Sequence, residues 1–229
     1  MGYKLTWLAF FALIMILFAF GRTGRKKKIL FFGDSITQAG VQPNGYITML
    51  QSKLKTEGLD ENIDLIGAGI SGNKIYDLYL RMDEDVMSKS PDMVFIYIGV
   101  NDVWHKSLLG TGTDYDKFGK FYEAVINKLK AANIKVVLCT PAVIGERKDH
   151  SNQQDGDLNL YSQWIRDYAK KHSLDIVDLR HSFLAYNLEN NPNNQEKGIL
   201  TTDRVHLNDK GNDMVASEML KVIRAAYGN

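Results

Sequence analysis

From residue 28 onward, short continuous apolar runs alternate with longer stretches whose apolar residues recur at helical spacing. The short runs read as strands buried on both faces, and the helical period reads as amphipathic helices lying over them. Strands are expected at residues 29–32, 63–66, 93–98, 134–139 and 175–177. Helices are expected at residues 45–56, 75–88, 115–132, 158–172 and 213–227. Helical spacing is clearest in Phe118, Phe121, Tyr122, Val125, Ile126 and Leu129, which form one stripe and read as core. Strand and helix in alternation predict an α/β fold, a parallel sheet covered by helices on both faces. Pro91 and Pro141 stand at the edges of runs, where they do not interrupt a sheet. The polar stretch 187–195 around Pro192 reads as a surface loop. With no repeat and no linker, residues 29–229 read as one domain.

The first 28 residues follow a different pattern. Residues 5–20 are almost wholly apolar, with Lys4 before them and Arg22, Arg25, Lys26, Lys27 and Lys28 after them. That length is the low edge for a membrane-spanning helix and slightly long for a signal-peptide core. Residues 1–28 therefore read as a signal peptide or a membrane anchor with a basic flank. Ala19-Phe20-Gly21 has small residues at cleavage-site offsets. The excess of positive charge after the segment instead favours a cytoplasmic domain. A protein of the cell envelope is expected, secreted or periplasmic, or anchored to the membrane through residues 5–20. The side of the membrane stays open.

Composition changes the picture in two respects. Lys+Arg is 28 and Asp+Glu is 27, for a net charge of +1, and this balance argues against nucleic acid as a partner. Cys139 is the only cysteine, so no disulfide forms within the chain, and its place in an apolar run reads as a buried thiol.

Ligands of open parallel sheets bind outside the carboxyl ends of the strands. Three expected strands end in sequences too particular for plain turns: Gly33-Asp34-Ser35, then Gly67-Ala68-Gly69-Ile70-Ser71-Gly72-Asn73, then Gly99-Val100-Asn101-Asp102. Alone, Ser35 would read as a helix N-cap. A serine nucleophile needs a base, a carboxylate to orient the base, and donors for an oxyanion. Among the five histidines, His181 and His206 each follow an aspartate by three residues, Asp178 and Asp203. Spacing does not choose between them. Context favours His206, because Asp203 and His206 occupy a loop before the final helix, while Asp178 continues an apolar run. His105 is a pocket-lining candidate, and His150 and His172 read as surface residues. The second glycine-rich segment also matches the spacing of a dinucleotide fingerprint. It follows the second strand rather than the first, however, and no strand ending in an acidic residue lies about twenty positions on.

Ser35 in Gly-Asp-Ser, Gly72 in Ser-Gly-Asn, Asn101 in Gly-Val-Asn-Asp and the pair Asp203/His206 resemble, in order, the four blocks of the SGNH (GDSL-type) hydrolases. The resemblance spans roughly residues 28–227. It implies a flavodoxin-like three-layer α/β/α sandwich and hydrolysis of carboxylic esters or thioesters without cofactor or metal. Ser35 would be the nucleophile, forming an acyl-enzyme, with His206 as base and Asp203 orienting it. The backbone N–H groups of Ser35 and Gly72 and the Asn101 amide would form the oxyanion hole. Asp34 and Asp102 would support the loops. Arg204 stands where many members have glycine, a departure that bears on loop shape. The sequence lacks the Gly-x-Ser-x-Gly elbow of the α/β-hydrolase fold.

For substrate, Trp104 and His105 are expected to wall the pocket, and residues 107–113, 144–157 and 187–197 to set selectivity. A small-molecule ester is expected, first a short-acyl (acetyl) ester, including those of glycans. A lysophospholipid or acyl thioester is the alternative. A dinucleotide-dependent oxidoreductase and a non-catalytic binding module are the readings from other classes.

Overall fold

The computed structural model describes residues 25–228. Residues 1–24, including the apolar segment 5–20, lie outside it. Five parallel strands form one sheet in the order β2-β1-β3-β4-β5. They are β1 (Lys27–Gly33), β2 (Ile63–Gly69), β3 (Met93–Tyr97), β4 (Lys135–Cys139) and β5 (Asp175–Val177). The helices are α1 (Ser35–Gly40), α2 (Tyr46–Thr56), α3 (Ile75–Asp85), α4 (Val100–Leu108), α5 (Tyr115–Ala131), α6 (Asp155–His172), α7 (Leu179–Asn190) and α8 (Asp209–Tyr227). Helices α2 and α8 pack together on one face, and α3 and α5 on the other, with α6 against β4 and β5. This is the expected three-layer α/β/α sandwich with flavodoxin-like strand order. The expected domain boundary at residue 29 falls inside β1, which starts at Lys27, while the Arg25 guanidinium pairs with Asp92 just before it.

The central strands are apolar throughout because both faces are covered: Ile29 to Phe32 and Met93 to Ile96 are fully buried. On the α2 face, the register partners Phe31 and Phe95 stack at 5.1 Å, with Tyr46 edge-on to Phe31. On the opposite face, Phe118 and Tyr122 of α5 meet Trp164 of α6. The α5 stripe is buried as its spacing predicts, except that Phe121 is only half-buried, beside Tyr76 and Tyr79.

Three helices lie where periodicity predicts none. Helix α1 is too short to show a period, and α4 begins inside the segment Val100-Asn101-Asp102 that reads as a loop. Helix α7 buries Arg180 and Asn187 beside Leu179 and Phe183, so its inner face is not apolar. The expected polar loop at 187–195 is thereby corrected. Its first residues belong to α7, and Asn187 and Asn191 are buried.

The second strand is longer than expected, for a steric reason. Gly67-Ala68-Gly69 pairs with Phe31-Phe32-Gly33 instead of leaving the sheet. A Cβ at Gly67 would overlap the Val41 side chain, and one at Gly69 would overlap the Thr37 and Gln38 backbone of α1. These glycines let α1 lie directly on β2. They leave no loop there to cradle a pyrophosphate, and the dinucleotide reading falls with that. Gly69→Ala is expected to push α1 off the sheet and to cost about 1–3 kcal/mol or more of stability, measured by urea unfolding, with activity lowered because Ser35 opens α1.

Candidate active site

Strand order reverses at β1, which has β2 on one side and β3 on the other, so the crevice at its carboxyl end is where such sheets bind ligands. Four segments converge there. Asp34 caps α1, its Oδ1 accepting the Ile36 N–H at 3.0 Å, and this cap sets Ser35 at the first helical position. From the far end of the chain, the loop before α8 brings His206 over the crevice. Its Nε2 lies 2.9 Å from Ser35 Oγ. Its Nδ1 lies 2.7 Å from Asp203 Oδ2. Asp203 Oδ1 also accepts the backbone N–H groups of Val205 and His206, at 3.1 and 2.8 Å. A carboxylate on Nδ1 favours the tautomer with its proton there, which leaves the Nε2 lone pair facing the Ser35 hydroxyl. Burial works to raise the Asp203 pKa, but the ring and backbone donors outweigh it and hold the carboxyl below its usual range.

The other two segments follow β2 and β3. Gly72 has φ +77, in the left-handed region, and a Cβ there would have only His105 near it, at 3.9 Å. Asn101, buried in the first turn of α4, gives one amide hydrogen to the Asn73 carbonyl at 3.1 Å and keeps the other. Asp102, fully buried, accepts the Ile75 N–H at 3.2 Å and so ties the start of α3 to that of α4. Trp104 lies edge-on to the His206 ring, with centroids 6.4 Å apart, and forms a wall with His105 beside it. Burial, and then the Lys74 charge, lower the His105 pKa below its ordinary value.

The rival pair is placed elsewhere. Asp178 caps α7 through the His181 N–H at 3.2 Å and pairs with Arg166 at 2.7 Å, while the His181 ring is exposed. Its carboxylate is occupied as a helix cap and ion pair rather than in orienting an imidazole. His150 is exposed, but His172 is half-buried, stacked on Tyr168 at 4.2 Å. Arg204 has φ +92, in the left-handed region that glycine adopts freely and other residues rarely do. Its guanidinium lies 2.7 Å from Glu196.

One residue that sequence reasoning missed ties the site together. Arg81 of α3 donates to the carbonyls of Gly33 (2.8 Å) and Ala68 (3.0 Å) and to Asn73 Oδ1 (2.6 Å), and its guanidinium lies over the Phe32 ring. It thus links the ends of β1 and β2 to the residue that holds Asn101. In sequence it is one more cation on an amphipathic helix, with no motif around it.

A serine, a histidine and an aspartate thus stand in hydrogen-bonded series at the carboxyl edge of a parallel sheet, an arrangement chemically capable of acyl transfer. The profile of the GDSL-like Lipase/Acylhydrolase family matches residues 31–214, and the chain belongs to that family. It is a carboxylic ester hydrolase. The crystal structure of the acetyl xylan esterase AlAXEase superposes with a TM-score of 0.84 and 64% identity, covering 86% of this chain and 99% of that one. An acetylxylan esterase of Geobacillus stearothermophilus is 29% identical over 220 residues, 88% of this chain and 96% of its own. A catalytic mutant of Axe2, an acetylxylan esterase from that organism, superposes with a TM-score of 0.76 and 26% identity, covering 88% and 96% of the two chains. The structures of Axe2 catalytic mutants replace a serine, an aspartate, or a histidine three residues after that aspartate.

Among the described residues, no group of three or more His, Cys, Asp or Glu side chains is arranged to hold a metal, and no helix is long and apolar enough to cross a membrane.

Beneath the site lie two buried carboxyls. Burial, reinforced by the nearby Asp102 charge and opposed by the Ile36 N–H, raises Asp34 from 3.8 to about 7. Burial likewise raises Asp102 to about 6, against hydrogen bonding by Thr113 and Ile75. Between pH 4 and 7 the folded protein keeps a proton on Asp34 that the unfolded chain releases, so stability falls as pH rises through that window. Asp34→Asn, still able to accept from Ile36, is expected to flatten this fall. Unfolding midpoints of wild type and variant should converge toward pH 4 and separate toward pH 7; a constant gap would contradict the assignment.

Proposed function

We propose that the protein removes acetyl groups from acetylated xylan-type glycans through an acyl-enzyme on Ser35. The observation that carries the proposal is the unbroken series Ser35 Oγ, His206 Nε2, His206 Nδ1 and Asp203 Oδ2, with steps of 2.9 and 2.7 Å. The 64% identity to an acetyl xylan esterase supports the substrate class, and the Axe2 catalytic mutants support the residue types.

Ser35 Oγ attacks the acetyl carbonyl carbon as its proton passes to His206 Nε2. The oxyanion is held by the Ser35 N–H, which has no intrahelical acceptor at the first position of α1, by the Gly72 N–H and by the free hydrogen of the Asn101 amide. Collapse breaks the bond to the sugar oxygen, which leaves with the proton from His206, and acetyl-Ser35 remains. Water then attacks, His206 takes its proton and returns it to Ser35, and acetate departs. Asp203 stays ionised and stabilises the imidazolium. Asp34 and Asp102 hold loop backbone and take no part in proton transfer. Trp104 and His105 close the acyl side, which suits acetyl better than longer chains.

Residues 1–28 we assign as a signal peptide or anchor that places residues 29–229, the catalytic domain, at the cell envelope. The support is the apolar run 5–20 and its basic flank.

Ser35→Ala is expected to abolish hydrolysis and labelling by a fluorophosphonate probe; wild-type turnover in that variant would end the proposal. Asn101→Ala should keep the fold and lose about 10²- to 10³-fold in kcat, the usual cost of one oxyanion donor. In a p-nitrophenyl ester series beside acetylated xylooligosaccharides, acetyl should lead, and Trp104→Ala should shift preference toward longer acyl chains. Faster turnover of lysophospholipids or acyl thioesters than of acetylated sugars would replace the substrate assignment.

A further inference from the structure

The connection from β4 to α6, which reads in sequence as a variable surface loop, contains a buried acid. Glu146 is 1% exposed. Among the described residues no lysine or arginine pairs with it. Its carboxylate instead accepts three consecutive backbone N–H groups: Ile199 on Oε2 at 2.8 Å, and Leu200 and Thr201 on Oε1 at 2.6 and 2.9 Å. A desolvated carboxylate is costly unless donors satisfy it, and bonds from N–H groups to an ionised acceptor are stronger than neutral ones.

The residues it holds end two positions before Asp203. The segment that carries Asp203 and His206 is neither helix nor extended strand; one bridge, Thr201 to Leu207, closes its base. The Thr202 N–H donates to the His206 carbonyl at 2.8 Å, so residues 202–206 form a closed tip on that base. Gly145, next to Glu146, donates its N–H to the Arg204 carbonyl at 2.8 Å and pins the tip. The Asn191 amide in turn donates to the Glu146 carbonyl at 2.8 Å. Arg204 keeps its left-handed backbone, a conformation that persists in a non-glycine residue where the surroundings over-determine it.

We infer that Glu146 is a positioning residue, whose carboxylate fixes the Asp203–His206 loop and thereby the distance from His206 to Ser35. This rests on the roles proposed above for that triad. Glutamine at 146 would aim an amide N–H₂ at one of three N–H groups that need acceptors, and the loop would shift.

The test measures kcat and KM on p-nitrophenyl acetate for Glu146→Gln and Glu146→Asp, together with the downfield NMR resonance of the His206 Nδ1 proton. Val125→Ala, a core truncation in α5, serves as the destabilised control. Misplacement of catalytic groups by about 1 Å costs up to ~10²-fold, so kcat in Glu146→Gln should fall about 10- to 100-fold while KM stays within about twofold. The His206 resonance should broaden or vanish. Val125→Ala should lower the melting temperature and change neither kcat nor the resonance. A folded Glu146→Gln with wild-type kcat and resonance overturns the inference. If Glu146→Gln does not fold, Glu146→Asp decides by the same two readouts, because it keeps the charge but withdraws it by one methylene. If neither variant folds, the carboxylate serves folding rather than placement, and the inference falls. Ser35→Ala separates the two levels. Activity there ends the triad reading, whereas its loss beside fully active Glu146 variants ends only this one.

Discussion

The chain leaving β1 must turn in a gap that no crossover fills, because its neighbours on the two sides, β2 and β3, are reached by crossovers on opposite faces of the sheet. Everything in the site follows from that gap. The turn has to be tight, so Asp34 caps a six-residue helix at once and Ser35 emerges at its first position. That helix has to lie on β2, so β2 carries glycine where a side chain would strike it. The ends of β2 and β3 reach the same level, with Gly69 and Tyr97 both in register with Gly33. Arg81 closes the arrangement by binding carbonyls near the ends of two neighbouring strands, those of Gly33 and Ala68.

The site is divided between parts of different mechanical character. Ser35 and Asn101 sit on helices that start from buried central strands, so their positions are set by the sheet itself. Asp203 and His206 arrive from the other end of the sequence on a segment without regular structure, held by hydrogen bonds to its backbone. Such segments are the ones that open first in native proteins, and a catalytic distance measured across this junction depends on how well the weaker half is held. The buried carboxyls of Asp34 and Asp102 show that the rigid half also carries a cost, since burial disfavours their ionised forms.

Most of the sheet was legible because its strands are buried on both faces and therefore apolar without interruption. Helices α2, α3, α5, α6 and α8 were legible because each keeps one polar face. What escaped did so for physical reasons. Six residues of α1 make less than two turns, and α7 turns Arg180 and Asn187 inward, where an apolar stripe would have announced it. The residues to which we assign the reaction could be read because chemistry restricts their types: few side chains replace a serine, an imidazole or a glycine with positive φ. Arg81 and Glu146 could not. Their work is done on backbone atoms, which carry no sequence signature, and nothing nearby in the chain distinguishes them from solvated charges. The pairs Asp178–His181 and Asp203–His206, equal in spacing, differ in context along the chain, and in the structure Asp178 is taken up by the ion pair with Arg166 and by the helix it begins.

The buried thiol of Cys139 has a consequence for where such a protein can work. It sits in β4 between Tyr97 and Val177, fully covered, and burial pushes its pKa up, out of the range in which a thiolate forms. With no second cysteine to join and no thiolate to react, the fold neither needs an oxidising compartment to complete it nor suffers in a reducing one. Thiol reagents find no accessible thiolate in the native fold. The redox state of the surroundings therefore sets no condition on how this thiol packs in the sheet.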